Sequence, residues 1–246
     1  MIIGSQRIYF ERLTSTNSYI AQQLDTNDLM EGTIVQTGFQ TAGKGQMGNK
    51  WESEEGKNLI FSIILYPSMI LPSEQFLISM AISLGINDYL SRHTDKCKIK
   101  WPNDIYVKDD KIAGILIENS ILGNTIENTI AGIGLNINQY RFISDAPNPV
   151  SLTLLTGKNF NLNTCLDQLA TDLDKRYKQL IAELFTQIRD DYISQLYRLN
   201  EWYSFSDQGG VYSGRILSIT DSGRLQIERK NGKISEYAFK EVDFIP

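Results

Sequence analysis

Four short stretches of this 246-residue chain combine residue types that could manage charge on a ligand. The first is residues 40–51, Gln-Thr-Ala-Gly-Lys-Gly-Gln-Met-Gly-Asn-Lys-Trp, in which Gly43, Gly45 and Gly48 surround Lys44. Glycine admits positive φ and a close backbone approach, so such a run can turn its N–H groups toward an anion. The second is Lys100-Trp101-Pro102-Asn103-Asp104. Proline fixes φ and removes a donor, which makes a rigid turn that holds Lys100 and Asp104 in set directions. The third is Lys111, at the head of an otherwise apolar run, where a lysine needs an anionic partner or water. The fourth is Gly132-Ile133-Gly134-Leu135-Asn136, and glycines inside a strand are costly unless something approaches the backbone closely. Each stretch has a plainer reading: a surface turn, a charged hairpin corner, an edge lysine, a bulge. Together they bring lysines and N–H-rich turns toward an anionic ligand with an apolar part. With one histidine, His93, and no paired cysteines, such a site works by placing cations and N–H groups around charge that develops in transfer.

The glycine loop resembles a phosphate-binding P-loop only in part. Gly38, four residues and Gly43-Lys44 fit, but Gly45 stands where a Ser or Thr would bind Mg2+, and no helix pattern follows. The missing helix also removes a dinucleotide-binding fingerprint. His93 follows Arg92 at the end of a helix pattern, which gives it a capping or surface role.

The elements that must position these stretches follow from the spacing of apolar residues. Residues 8–13 and 33–39 fit strands, the second running into the glycine loop. Thr14, Ser15, Thr16 and Asn17 are capping types ahead of Tyr19, Ile20, Ala21 and Leu24, which predicts a helix start whose hydroxyls cap or line a polar pocket. Residues 58–66 are nearly all apolar and predict a central strand buried on both faces. Ser73 is the expected cap of a helix that presents Phe76, Leu77, Met80, Ala81, Leu84 and Leu90 and ends near Arg92. Strands are expected at 99–101, 105–107, 111–118 and 125–138, with Pro147 and Pro149 in a loop. Leu166, Leu169, Ala170, Leu173, Tyr177, Leu180 and Leu184 space as one long amphipathic helix, followed by another to about Leu196. After Trp202, strand patterns at 211–219, 224–229 and 233–239 are separated by Asp221-Ser222-Gly223 and Asn231-Gly232, which predicts a small β-barrel of hairpins. The expected division is a main domain, 1–200, and an appendage, 201–246.

Composition narrows the class. Hydrophobic residues at 41% and charged ones at 22% exclude a disordered chain. A formal charge of −5 disfavours a nucleic-acid backbone as main partner. No apolar run reaches the roughly 18 residues of a membrane span, and the start does not read as a signal peptide. Cys97 and Cys165, far apart in sequence, suit a reducing compartment, so a cytoplasmic protein is expected. A single histidine excludes a His-rich metal site, and no side chain is assigned to a metal.

Ser15-Thr16-Asn17, the whole of 40–51, Lys100-Trp-Pro-Asn-Asp104, Lys111-Ile-Ala-Gly-Ile-Leu-Ile-Glu118 and Gly132-Ile-Gly-Leu-Asn-Ile-Asn138 stand in the order found in biotin protein ligases, which the chain resembles along nearly its whole length. The resemblance implies an α+β fold: a catalytic domain like that of class II aminoacyl-tRNA synthetases, with a mixed sheet and flanking helices, and a small C-terminal SH3-like β-barrel. It implies that biotin and ATP give biotinyl-5′-AMP and pyrophosphate, with Mg2+ countering the phosphates. The acyl group then passes to a lysine of a biotin carboxyl carrier domain. By position, Ser15, Thr16, Asn17, Gln40, Gly43, Lys44, Gly45 and Gly114 would bind biotin. Gln46, Met47, Gly48, Trp51, Asn103, Asp104 and Asn136 would lie on the nucleotide side, and Lys111 would act in catalysis on the carboxylate and α-phosphate. Lys233 or Lys240 of the appendage could reach the adenylate.

Two departures carry weight. The family loop is often rich in arginine, whereas Lys44, Gln46 and Asn49 stand here, so one cation replaces three. The Ser-Thr-Asn motif begins at residue 15, which leaves no room ahead of it for the winged-helix DNA-binding domain of some relatives. The expected state is a monomer or weak homodimer, without nucleic acid or membrane. Competing readings are a lipoate or octanoate ligase or transferase of the same fold and a non-catalytic biotin sensor.

Overall fold

The computed structural model describes residues 1–24, 29–143 and 148–245; Pro147 and the side chain of Met47 lie outside the described residues. Seven strands form one mixed sheet: β1 (Arg7–Leu13), β2 (Ile34–Gln40), β3 (Leu59–Leu65), β4 (Cys97–Lys100), β5 (Asp104–Val107), β6 (Asp110–Leu122) and β7 (Thr125–Leu135). Their order is β1-β2-β3-β7-β6-β5-β4, with β1 and β2 parallel and the other pairs antiparallel. Among the described residues five α-helices accompany it: α1 (Thr16–Leu24), α2 (Phe76–Leu90), α3 (Leu152–Thr156), α4 (Leu162–Ile181) and α5 (Phe185–Ser194). No helix among the described residues is long and apolar enough to cross a membrane.

The alternation of strand residues explains the layers. In β3 every residue is buried, as the apolar run predicts. Leu59, Phe61, Ile63 and Leu65 pack with α2 and α4 residues such as Leu77, Met80, Leu166 and Leu173. Ile64, on the other face, packs with Ile20 of α1, Val35 and Ile130. One face therefore carries the main core, and the other carries α1 and leaves space beside it. Phe61 is fully buried in that main core. Phe61→Ala is expected to lose about 3–5 kcal/mol of unfolding free energy in urea titration, the usual loss for deleting a buried phenyl ring.

Several boundaries differ from the sequence expectation. Ser73 does not cap α2; Pro72–Glu74 form a separate 3-10 turn, and the helix starts at Phe76 with no side-chain cap. β7 stops at Leu135 rather than 138, because Asn58 Oδ1 takes the Ile137 N–H at 3.0 Å and draws the chain out of the ladder. The short α3 was not expected; Ser151 caps it by accepting the Leu154 N–H at 3.3 Å, and Gly157 ends it at φ 71°. His93 is not a cap: its ring packs 4.9 Å from Tyr89 and 5.5 Å from Phe160, and burial lowers its pKa. Cys97 and Cys165 are free and buried.

The C-terminal segment forms a second, antiparallel sheet of β8 (Trp202–Asp207), β9 (Gly210–Ile219), β10 (Leu225–Arg229), β11 (Ile234–Tyr237) and β12 (Asp243–Phe244). Its order is β11-β10-β9-β8-β12, so the end strands do not pair with each other. The Asn231-Gly232 turn joins β10 and β11 as expected, with Gly232 at φ 79°. β8 and β12 carry no clear alternation and were not foreseen. Trp101 bolts this sheet to the larger one: it is 6% exposed, donates Nε1 to Gly223 O at 2.9 Å and meets the Phe239 ring at 6.4 Å.

Candidate active site

A cleft of about 320 Å3 opens on the α1 face of the large sheet, within the usual size range of small-molecule sites. Its floor is made of glycine. Gly134 faces Ile60 on β3 and Gly114 on β6, and Gly132 faces Ser62 and Leu116. A Cβ on Gly134 would sit 2.2 Å from Trp51 Cε2, and one on Gly114 would sit 2.9 Å from Trp51 Cζ3. A Cβ on Gly132 would meet Asn17 Oδ1 at 2.3 Å. The close approach that interior glycines imply is thus made by the Trp51 indole and the Asn17 amide, not by a helix or a bulge.

At one end of this floor lies a polar network built by the α1 N-terminus. Gln40 Oε1 accepts from the Thr16 N–H at 2.8 Å and the Thr16 hydroxyl at 3.2 Å. Ser62 Oγ lies 2.6 Å from Thr16 Oγ1 and 2.5 Å from Asn17 Oδ1. Asn17 Nδ2 donates to Glu118 Oε2 at 2.7 Å. Both ends of the Asn17 amide are therefore tied down, and Asn17 shapes the floor. Ser15 Oγ accepts a long cap bond from the Ser18 N–H, 3.5 Å, and lines the cleft.

The other end is cationic. Lys111 Nζ lies 2.7 Å from Asp104 Oδ1 and 5.8 Å from the centre of the Trp51 ring. Lys111 is held by its backbone: its N–H donates to Asn148 O at 2.8 Å, and its carbonyl accepts the Val150 N–H at 2.9 Å. Asn136 braces that segment from behind through Nδ2 to Val150 O at 3.1 Å. Lys100 hydrogen-bonds Tyr106 OH at 3.1 Å and sits 5.2 Å from the centre of the Phe244 ring. Its pKa is lowered by burial, with Arg198 and Lys111 acting the same way and Asp104 opposing. A desolvated ammonium of this kind favours an anionic ligand.

The glycine loop forms a small hairpin over the floor. Lys44 and Lys50 face each other in a bridge, Gly45 N donates to Asn49 O at 2.7 Å, and Trp51 N donates to Gly43 O at 3.1 Å. Gln46–Gly48 make a 3-10 turn at its tip. Trp51 Nε1 is buried and has no hydrogen-bond partner among the described residues. The opposite rim comes from the C-terminal segment, including Phe239, Lys240 and Phe244.

Most of the sequence-derived candidates meet here. Ser15, Thr16, Asn17, Gln40, Lys44, Gly45, Gln46, Trp51, Asn103, Asp104, Lys111 and Gly114 all line the cleft. Gly43 and Gly48 belong to the loop without lining it, and Asn136, 3% exposed, lies behind Lys111 and not on the cleft wall. Asn103 lines it while its Nδ2 is tied to Ile115 O at 2.7 Å. Lys240 reaches the cleft and Lys233 does not. Sequence reasoning singled out Lys100 in its rigid turn without giving it a site role, and missed Ser62 and Glu118. Ser62 was detectable as the one hydroxyl within the apolar run 59–65; Phe239 and Phe244 gave no signal.

Fold and cleft together define a class: a mixed sheet bearing a glycine-floored cleft with hydroxyls at one end and lysines at the other. Comparison with known proteins agrees. The profile of the Biotin/lipoate A/B protein ligase family matches residues 9–136, and the chain belongs to that family. It is 31% identical over 239 residues to the bifunctional ligase/repressor BirA of Bacillus subtilis, covering 94% of this chain and 72% of that one. It is 29% identical over 234 residues to the biotin–[acetyl-CoA-carboxylase] ligase of Paracoccus denitrificans, covering 90% of this chain and 95% of that one. The structure superposes on the biotin protein ligase of Aquifex aeolicus in complex with biotin and ATP with a TM-score of 0.79 at 25% identity, covering 97% and 98% of the two chains.

Proposed function

We propose that the chain is an ATP-dependent biotin ligase, which biotinylates a lysine of a biotin carboxyl carrier domain through biotinyl-5′-AMP. The observation that carries this reading is the glycine-floored cleft, with Ser15, Thr16 and Gln40 at one end and Lys111 and Asp104 at the other, in a chain whose relatives are named for this activity. A biotin carboxylate oxygen attacks the α-phosphorus of ATP and pyrophosphate leaves. The amine of the carrier lysine then attacks the acyl carbon and AMP leaves. Ser15 donates to the ureido end, and the tied Thr16–Gln40 pair sets the shape of that end. Trp51 covers the biotin rings against Gly114 and Gly134. Lys111 offsets charge on the carboxylate and the α-phosphate in both steps, while Asp104 keeps its ammonium aligned before substrate arrives. Asn103 and Asp104 flank the nucleotide, and Mg2+ enters bound to the ATP phosphates as part of that substrate. In this reading residues 201–246 form an SH3-like unit that closes the nucleotide side of the cleft with Phe239, Lys240 and Phe244.

Incubation with ATP, biotin and a carrier domain, followed by blotting for biotin, tests the reading. Labelled carrier is expected, and no label with biotin but label with lipoate overturns it in favour of the lipoate branch of the family. The arginine-poor loop makes a separate prediction. Lysine and glutamine lack arginine's fixed bidentate fork for phosphate, so the chain is expected to release biotinyl-AMP faster than its Gln46→Arg variant does. A release rate unchanged by that substitution, measured by single-turnover chase, would sink the idea.

A further inference from the structure

A second groove, of about 520 Å3, lies beside the cleft and plays no part in the chemistry described above. It is lined by four cations, Lys96, Lys98, Lys108 and Arg198, against two carboxylates, Asp109 and Glu201. Both carboxylates already accept tyrosine hydroxyls, Asp109 from Tyr197 at 2.6 Å and Glu201 from Tyr203 at 3.2 Å. Among the described residues, none of the four cations forms an ion pair. Lys98 Nζ donates only to neutral oxygens, Ser194 O at 3.1 Å and Gln195 Oε1 at 3.3 Å. Arg198 donates to Ile245 O at 2.8 Å and lies 4.1 Å from the centre of the Tyr203 ring. The concentration of unpaired positive charge is set in a chain of net charge −5.

The backbone adds an independent observation. Lys96, Lys108 and Arg198 have φ of 61°, 55° and 61°, a left-handed conformation that glycine or asparagine adopts more easily. Three of the groove's four cations thus project from tight left-handed turns, a conformation that costs any residue with a Cβ. The groove also neighbours the cleft, since β4 contributes Lys98 to the one and Lys100 to the other. Lys98 and Lys100 lie on the same face of β4 two residues apart, about 7 Å, and Tyr106, bonded to Lys100, packs its ring 5.4 Å from that of Tyr197 in the groove wall.

We propose that this groove docks an acidic face of the carrier domain and so brings the acceptor lysine to the mouth of the cleft. The inference rests on the ligase reading above. Acyl transfer needs a second protein at that mouth for the time of one attack, and complementary charge within a Debye length, about 8 Å at physiological salt, speeds encounter and sets orientation. The acceptor lysine then crosses the aromatic rim past Lys100 to the acyl-adenylate.

The test compares Lys98→Glu/Lys108→Glu with Lys158→Glu/Lys175→Glu, which makes the same change of net charge at exposed positions on α4 and after α3. Adenylate formation is followed as pyrophosphate release without carrier, and transfer is followed with a purified biotin carboxyl carrier domain. The groove variant is expected to form adenylate within twofold of the parent, to show at least a tenfold higher KM for the carrier, and to lose most of the salt dependence of transfer. The control variant is expected to match the parent in both steps. Lys98→Gln/Lys108→Gln should fall between, which separates charge from misfolding. An unchanged carrier KM and salt dependence in the groove variant, or an equal loss in the control, overturns the docking surface. Absence of pyrophosphate release in the parent overturns the ligase reading instead.

Discussion

Lys111→Ala is expected to lower the rate of biotinyl-AMP formation by about 100- to 1000-fold, the usual loss when one preorganised donor to developing charge is removed. The expectation rests on how firmly this ammonium is placed. Its backbone is clamped on both sides by Asn148 and Val150, Asn136 braces that clamp, and Asp104 fixes Nζ at 2.7 Å. Side chains of the pair are about a fifth exposed, 23% and 21%, so water screens the pair only in part. Alanine leaves the Asp104 carboxylate without its partner, which itself disfavours an incoming anion. The double variant Lys111→Ala/Asp104→Asn therefore separates the two contributions: it should recover part of ATP binding and none of the turnover. Pyrophosphate release under single-turnover conditions, with thermal melting to confirm the fold, gives the readout. Full activity in Lys111→Ala would refute its assigned role.

Gly134→Ala is the second large effect. A methyl group there would lie 2.2 Å from Trp51 Cε2 and 2.6 Å from Trp51 Nε1, far inside van der Waals contact. The backbone of β7 cannot retreat, because Gly134 is paired with Ile60 on one side and Gly114 on the other. Trp51 must move, and its N–H to Gly43 O is one of the bonds that close the loop hairpin. We expect at least a 30-fold rise in KM for biotin, with a stability loss of about 1–3 kcal/mol from overpacking. The signature is coupling. In a Trp51→Ala background the same substitution should cost little, because the clash is with the indole, and such non-additivity marks residues in contact. Additive losses in the two single variants and the double would show that Gly134 acts otherwise. Gly132→Ala offers a parallel case through Asn17 Oδ1, 2.3 Å from the added atom, and should disturb the Thr16–Ser62–Asn17 network and not the loop.

Where the sequence was legible, it was legible through local rules. β3 shows itself as an unbroken apolar run because both faces are covered. α4 shows itself through apolar spacing, and the β10–β11 turn through Asn231-Gly232. The site motifs were recognisable because loop glycines, a proline turn and a strand-head lysine each have a physical cost that invites a reason. Less visible were the features whose cause is distant in sequence. Nothing near Ser73 says that the chain will spend a 3-10 turn before α2 begins. β12 has two residues and owes its existence to pairing with β8. Asn136 looks like a ligand residue in its motif, yet its partner is Val150, brought close by the return of the chain.

The sequence by itself determined which residues could carry the chemistry: hydroxyls at 15 and 16, a glycine loop at 43–48, lysines at 100 and 111, and glycines at 114, 132 and 134. Residue type and short spacing point to all but Gly114, which the family resemblance supplied, since they reflect backbone freedom and charge within a few bonds. Only the tertiary structure decided what the glycines are for, because the groups that crowd them, Trp51 and Asn17, come from other elements. It also decided that Asp104 partners Lys111, that half-buried Lys100 lies against the Phe244 ring, and that Lys96, Lys98, Lys108 and Arg198 form one groove. Those relations depend on strand order and register, which arise from burial summed over the whole sheet and are written in no single segment.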